Sequence, residues 1–189
     1  MSDRSTLLVF AHRDEASAFA DVPHLVTGVG KINAAVSLAA ELAGPRERAI
    51  ERVVVLGTAG VVSDGADRPS LDEVYQVTAA VQHDFSLPSP ELAMSGPAIL
   101  PPEHTAVIAT GDVFVQNDAQ RVTIADAGAS LVDMESYAYA SVCARFGVEL
   151  QIFKVPSDFA DSSTTDEEWD TIVFRKSEQL REFWDARLA

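Results

Sequence analysis

The stretch RVVVLGTAG (52–60) constrains the fold more than any other part of the chain. Val53 to Leu56 are consecutive aliphatic residues with no polar partner between them. A half-solvated strand alternates apolar and polar positions. A run like this one needs cover on both faces, as in a sheet with helices above and below it. The same character recurs in TLLVFA (6–11), HLVTGV (24–29), EVYQVTAAVQ (73–82), AVIATGDVFV (106–115), ASLVDM (129–134) and LQIFKVP (150–156). Helical spacing fills the intervals. KINAAVSLAAELA (31–43) is stopped by Gly44-Pro45, and ESYAYASVCARF (135–146) runs to Gly147, placed as a C′ glycine. The segment 164–188 opens with threonines and acids and then turns helical, as one helix or two. Strands alternating with helices predict an α/β fold with a central, mostly parallel mixed sheet flanked by helices. A length of 189 residues, 47% of them hydrophobic, suits a single domain spanning 1–189. The proline-rich segment 85–105 reads as a surface excursion within that domain.

Charge narrows the partners. A formal net charge of −15 repels phosphate backbones and anionic membrane surfaces, so neither nucleic acid nor a membrane is expected as a partner. The single cysteine, Cys143, rules out an intrachain disulfide and reads as a buried small hydrophobe. No stretch approaches the ~20 apolar residues of a membrane span, and the N-terminal apolar run is too short for a signal peptide. A cytoplasmic location is expected. His12, His24, His83 and His104 lack metal-ligand spacing, so no metal is expected; no organic cofactor is implied either. The G-x-x-x-x-G-K-[ST] and G-x-S-x-G patterns are both missing.

In open α/β sheets ligands sit beyond the carboxyl ends of the strands. Those ends carry a consistent set here: Asp14 and Glu15 after the first strand, Gly28 and Gly30 after the second, Thr58 and Gly60 after the third, Asp112 and Phe114 after the fifth, Met134 and Glu135 after the sixth, and Ser157 and Asp158 after the seventh. Gathering carboxylates raises the pKa of each, which proteins accept mainly at catalytic or metal sites. Taken singly, each residue has a plainer reading. Glu135 suits the first turn of a helix, Asp158 a helix cap, Phe114 a core, and Gly57 and Gly60 close packing of strand on helix.

The ordered combination resembles the nucleoside phosphorylase/nucleosidase superfamily, and within it the 5′-methylthioadenosine/S-adenosylhomocysteine nucleosidases. The marks are TGVGKINAA (27–35), VVLGTAG (54–60), QHDFS (82–86), ATGDVFV (109–115), VDMESYAYASVCARFGV (132–148) and KVPSDFAD (154–161). The resemblance implies a phosphorylase/hydrolase-like fold and cleavage of the bond between a purine and its ribose. It implies Asp158 as the acid that protonates the leaving base, with Ser157 beside it. It implies Glu15 as the group that activates water, Asp14 being the alternative one position earlier. Glu135 would accept the ribose 2′-hydroxyl, Met134 would pack on the sugar, Phe114 would stack on the purine, and Thr58 would lie near the nucleophile. Relatives pair, so a homodimer is expected. Lys154 stands where many relatives carry arginine, and the chain is shorter than the usual member, with the missing length around 85–105.

Three functions compete on these residues. The first is hydrolysis of a purine nucleoside by water. The second is phosphorolysis, which needs several cationic donors, and near the early loops only Arg13 and Lys31 offer themselves. The third is a non-catalytic nucleoside-binding member, which the presence of Glu15, Glu135 and Asp158 together disfavours.

Overall fold

The computed structural model describes residues 5–45, 49–65, 68–162 and 166–189. Eight strands form one mixed sheet: β1 (Thr6–Phe10), β2 (His24–Val26), β3 (Arg52–Val61), β4 (Tyr75–Gln82), β5 (Leu92–Ala93), β6 (Thr105–Thr110), β7 (Leu131–Asp133) and β8 (Glu149–Asp158). Four α-helices accompany them: α1 (Lys31–Ala43), α2 (Asp118–Asp126), α3 (Ser136–Phe146) and α4 (Asp166–Arg187).

β3 is the hub, and its unbroken aliphatic run now has its reason. Val53 and Val55 enter one apolar cluster, with Leu38 of α1 and Tyr139 of α3. Val54 and Leu56 enter another, with Phe10, Phe19 and Leu180 of α4. β8 divides in the same way, Leu150 and Ile152 to the first cluster and Phe153 and Val155 to the second. Each strand is covered on both faces, so neither needs polar alternation.

Pairing also closes a ring that the sequence did not announce. β3 pairs with β8, β8 with β4, β4 with β6, β6 with β7, and β7 returns to β3. β1 and β2 extend from β3 as a parallel wing. β1 pairs with Arg52–Val55, while β7 pairs antiparallel with Gly60 and Val61. β3 therefore forks: residues 56–59 lie between the two partners. The residues that follow β1 and β7 turn into that opening, which is the type of switch point where such sheets bind ligands.

Several expected boundaries shift. Helix 31–43 is as read, and the third helix begins at Ser136 and ends at Gly147, whose φ of 68° is a left-handed C-cap. The last helix is a single one; Thr164 and Thr165, expected at its start, lie outside the described residues. The strand expected over 106–115 stops at Thr110, and α2 follows it unannounced. Its Asn117 N-cap accepts from Ala119 N at 2.9 Å and Gln120 N at 3.3 Å, a capping signal legible in VQNDAQ. The 24–29 strand ends at Val26, because Gly28 and Gly30 take positive φ values to turn the chain into α1. Segment 85–105 is mostly irregular, holding β5 and a short turn of 3₁₀ helix at Pro102–His104 before β6 begins at Thr105. Gln76 ties it down, donating to Pro97 O and accepting from Ile99 N.

Candidate active site

A cavity of about 350 Å³ opens at the fork of β3, and all eight site residues expected from the sequence line it. Glu15, Thr58 and Gly60 form one part of the wall, Met134 and Glu135 another, Ser157 and Asp158 a third, and Phe114 arrives from the loop after β6. Asp14, the alternative to Glu15, is not in the wall; it lies 3.6 Å from His12 Nδ1 and 3.6 Å from Arg13 Nε.

Glu15 is buried, and its carboxylate is fixed by three donors. Oε1 accepts from Thr58 N at 2.6 Å and from Thr58 Oγ1 at 2.8 Å, and Oε2 accepts from His12 N at 3.1 Å. Thr58 lies in the stretch of β3 that pairs with β8 on one edge and has neither β1 nor β7 on the other, so the fork supplies the donor. Trp169 Nε1 donates to Thr58 Oγ1 at 3.2 Å. An indole N–H can only donate, so the threonine proton is directed at Glu15. Two donors meet Oε1 and one meets Oε2, which leaves an acceptor position on Oε2 for a further donor.

Ser157 and Asp158 owe their positions to a bulge. β8 matches Pro156 to Ala59 and Asp158 to Gly60, leaving Ser157 as the extra residue. Such a bulge re-aims side chains at the end of a strand, and proline fits beside it because it has no ladder hydrogen to lose. Asp158 Oδ1 accepts from Ala160 N at 2.8 Å, and Oδ2 accepts from Ser157 Oγ at 2.6 Å. Ser157 Oγ also reaches Ala59 O at 3.3 Å. The hydroxyl has one proton and two acceptors in range. It can serve an ionised Asp158, or turn to Ala59 O and accept from a protonated one. A Cβ on Gly60 would come within 3.2 Å of Asp158 Oδ1 and 3.0 Å of the Ala160 Cβ, so the close approach requires glycine there.

Asp133, which lines the cavity, belongs to a buried ion pair that sequence reasoning did not assign to the site. Lys154 Nζ is 2.9 Å from Asp133 Oδ2, the two side chains being 2% and 3% exposed. Asp133 is also held by Thr110 Oγ1 at 2.7 Å and Ser136 Oγ at 2.5 Å. A Cβ on Gly57 would lie 3.0 Å from Glu15 Oε1 and 3.3 Å from Lys154 Nζ, so the ammonium and the Glu15 carboxylate border the same point. Burial works against the charge on Lys154, but Asp133, Glu15 and Glu135 outweigh it and hold its pKa above the ordinary value. Glu135 Oε1 accepts from Gly30 N at 2.7 Å. Burial, then the neighbouring Asp133, push the Glu135 carboxyl up to about 8, against the pull of Lys154 and the Gly30 amide. His12, Trp169 and Asp170 also line the cavity. Lys154 had one signal, its place three residues before Ser157; Trp169 had none beyond helical periodicity.

Five acids and no lysine or arginine line the cavity among the described residues. The two cations considered from sequence are engaged elsewhere. Lys31 pairs with Asp84 at 2.6 Å, and Arg13 projects into solvent with its side chain 85% exposed. Among the described residues, no group of three or more His, Cys, Asp or Glu side chains is disposed to hold a metal ion, and no helix is long and apolar enough to cross a membrane.

The chain is 29% identical over 167 residues to futalosine hydrolase of Thermus thermophilus, covering 74% of this chain and 72% of that protein. The native structure of futalosine hydrolase of Helicobacter pylori superposes with a TM-score of 0.79 at 17% identity, over 96% of each chain. The H. pylori 5′-methylthioadenosine/S-adenosylhomocysteine nucleosidase, solved with butyl-thio-DADMe-Immucillin-A, superposes at 0.80 with 17% identity, over 98% of each chain. The phosphorylase superfamily model matches residues 21–186. The match runs from before β2 to the last turn of α4, and the chain belongs to the phosphorylase superfamily.

Proposed function

We propose that this protein, acting as one domain, hydrolyses the N-glycosidic bond of a purine nucleoside of the 5′-methylthioadenosine/S-adenosylhomocysteine type, releasing free base and a ribose derivative. The observation that carries this reading is that three carboxylates, from the ends of three strands, share one cavity that no lysine or arginine among the described residues lines. Phosphorolysis needs donors for a phosphate dianion, and five acids make the cavity hostile to one. Water needs only an acceptor and a place to stand.

The chemistry follows from the placement. Departure of the base leaves positive charge on the ribose ring. Glu15 takes a hydrogen bond from the attacking water at the open position on Oε2, and orients it toward the anomeric carbon. Asp158 donates to a ring nitrogen of the departing purine, Ser157 adjusting its own proton between Asp158 and Ala59 O as the carboxyl changes state. Glu135 accepts from the ribose 2′-hydroxyl, a contact that tightens as charge develops. Met134 packs against the sugar. Phe114, which lines the cavity and is 38% exposed, stacks on the base.

The protein is cytoplasmic and works as a homodimer in this reading. Support for pairing comes from α1, whose Ile32 and Val36 are 75% and 64% exposed one turn apart on one face. Val29, just before that helix, and Val113 also line the cavity while partly exposed. A panel containing 5′-methylthioadenosine, S-adenosylhomocysteine, adenosine and futalosine, scored for free base with and without phosphate, tests the proposal. Release of base from at least one of them in phosphate-free buffer is expected. Strict dependence on phosphate would assign the protein to phosphorolysis instead.

A further inference from the structure

The loop that carries Glu15 contains a side chain from the far end of the sequence. Its turns are built from short-range bonds: Ala16 N to Arg13 O, Ser17 N to Asp14 O, Phe19 N to Ala16 O and Val22 N to Phe19 O. The pair that falls between these, Glu15 O and Ala18 N, is joined differently. Ser177 Oγ of α4 accepts from Ala18 N at 3.0 Å and donates to Glu15 O at 2.7 Å. One hydroxyl is thus inserted into the turn at Glu15 and satisfies both backbone groups, 162 residues away in the chain. Ser177 is fully buried. Arg181, one turn on, secures the same loop by donating to Ala18 O at 3.1 Å and pairing with Asp21. The same helix reaches the other end of Glu15 through Trp169, whose indole donates to the Thr58 hydroxyl that binds Oε1.

We propose that Ser177 is a positioning residue for Glu15: its inserted hydroxyl holds the backbone turn open at the width that sets the Glu15 carboxylate against Thr58. This inference rests on the reading of Glu15 as the group that holds the attacking water. Without the hydroxyl, the turn closes to a direct Ala18 N to Glu15 O bond, or it leaves both groups unpaired in a buried place. Either change moves the root of the Glu15 side chain. Because the misplacement acts on the nucleophile and not on substrate contacts, it lowers kcat and leaves KM in place.

The test is a double-mutant cycle of S177A with E15Q, read by single-turnover base release and steady-state kinetics. S177A is expected to lower kcat about tenfold, with KM unchanged within about twofold. S177T, which keeps the hydroxyl, is expected to retain most of the rate. In the E15Q background, S177A is expected to add almost nothing, since the group it positions is already disabled. An equal loss from S177A in both backgrounds, or no loss in either, would overturn the proposal. If S177A does not fold, S177C, of similar volume and with only a weak donor, takes its place in the cycle. A crystal structure of the S177A or S177C variant keeps the two readings apart. Displacement of the Glu15 carboxylate from Thr58 supports the positioning role, and an unmoved carboxylate refutes it, even if the wild-type chain releases no base from any nucleoside tried.

Discussion

Glu135 and Lys154 show what a buried acidic site demands of single residues. The Glu135 carboxyl, with an ordinary value of 4.5, is pushed up to about 8 in the folded protein. Between those values the unfolded chain has released a proton that the folded chain still holds. Unfolding therefore releases a proton, and rising pH favours it. The melting temperature of the wild-type protein should fall relative to that of E135Q as pH rises from about 5 to 8. A constant difference across that window would show that Glu135 is not held protonated. Lys154 is the partner that makes buried Asp133 tolerable. Removing it in K154M leaves a carboxylate with no counter-charge in a dry place, and should cost about 3–5 kcal/mol in chemical denaturation. Glu15, Glu135 and Asp158 were legible in the sequence because each stands at or just beyond the end of an apolar run, where a sheet can carry charge; Asp170, within α4, was not. The Lys154–Asp133 pair was not, because its two members come from β8 and β7 and meet only through the tertiary fold.

At the scale of elements, end signals carried more information than periodicity did. Gly147 was read as a helix stop and adopts the left-handed conformation that this stop requires. G147A should lower stability by about 1 kcal/mol, measured by urea denaturation, and leave the rate of base release unchanged. The cap at Asn117 was present in the sequence too, yet the apolar run over 106–115 hid it, since a strand and the loop beyond it can share one composition. The bulge at Ser157 had no local mark apart from Pro156. It depends on the register of β8 against β3, which two separated segments set together. This one-residue slip is what turns both Ser157 and Asp158 into the cavity.

For the whole molecule, the alternation of strands and helices gave the class, and the apolar runs correctly foretold cover on both faces of the sheet. The closed ring and the forked β3 were not legible, because they depend on which strands pair. That choice is made by long-range packing rather than by any segment's own preference. Pairing of two copies is a separate question at this scale. On the proposed homodimer with α1 at its interface, replacing Ile32 and Val36 together by lysine should shift the sedimentation coefficient from that of a dimer to that of a monomer; a wild-type coefficient already that of a monomer, or one unchanged by the replacement, would contradict that proposal.

The central claim is that Glu15, Glu135 and Asp158, far apart in the chain, act on one glycosidic bond. Single-turnover base release by E15Q, E135Q and D158N, with substrate binding measured in parallel, tests it most directly. The account predicts that E15Q and D158N each lose about 100-fold or more in rate while still binding the nucleoside, and that E135Q loses rate as well. Retention of the wild-type rate by any one of the three would contradict it.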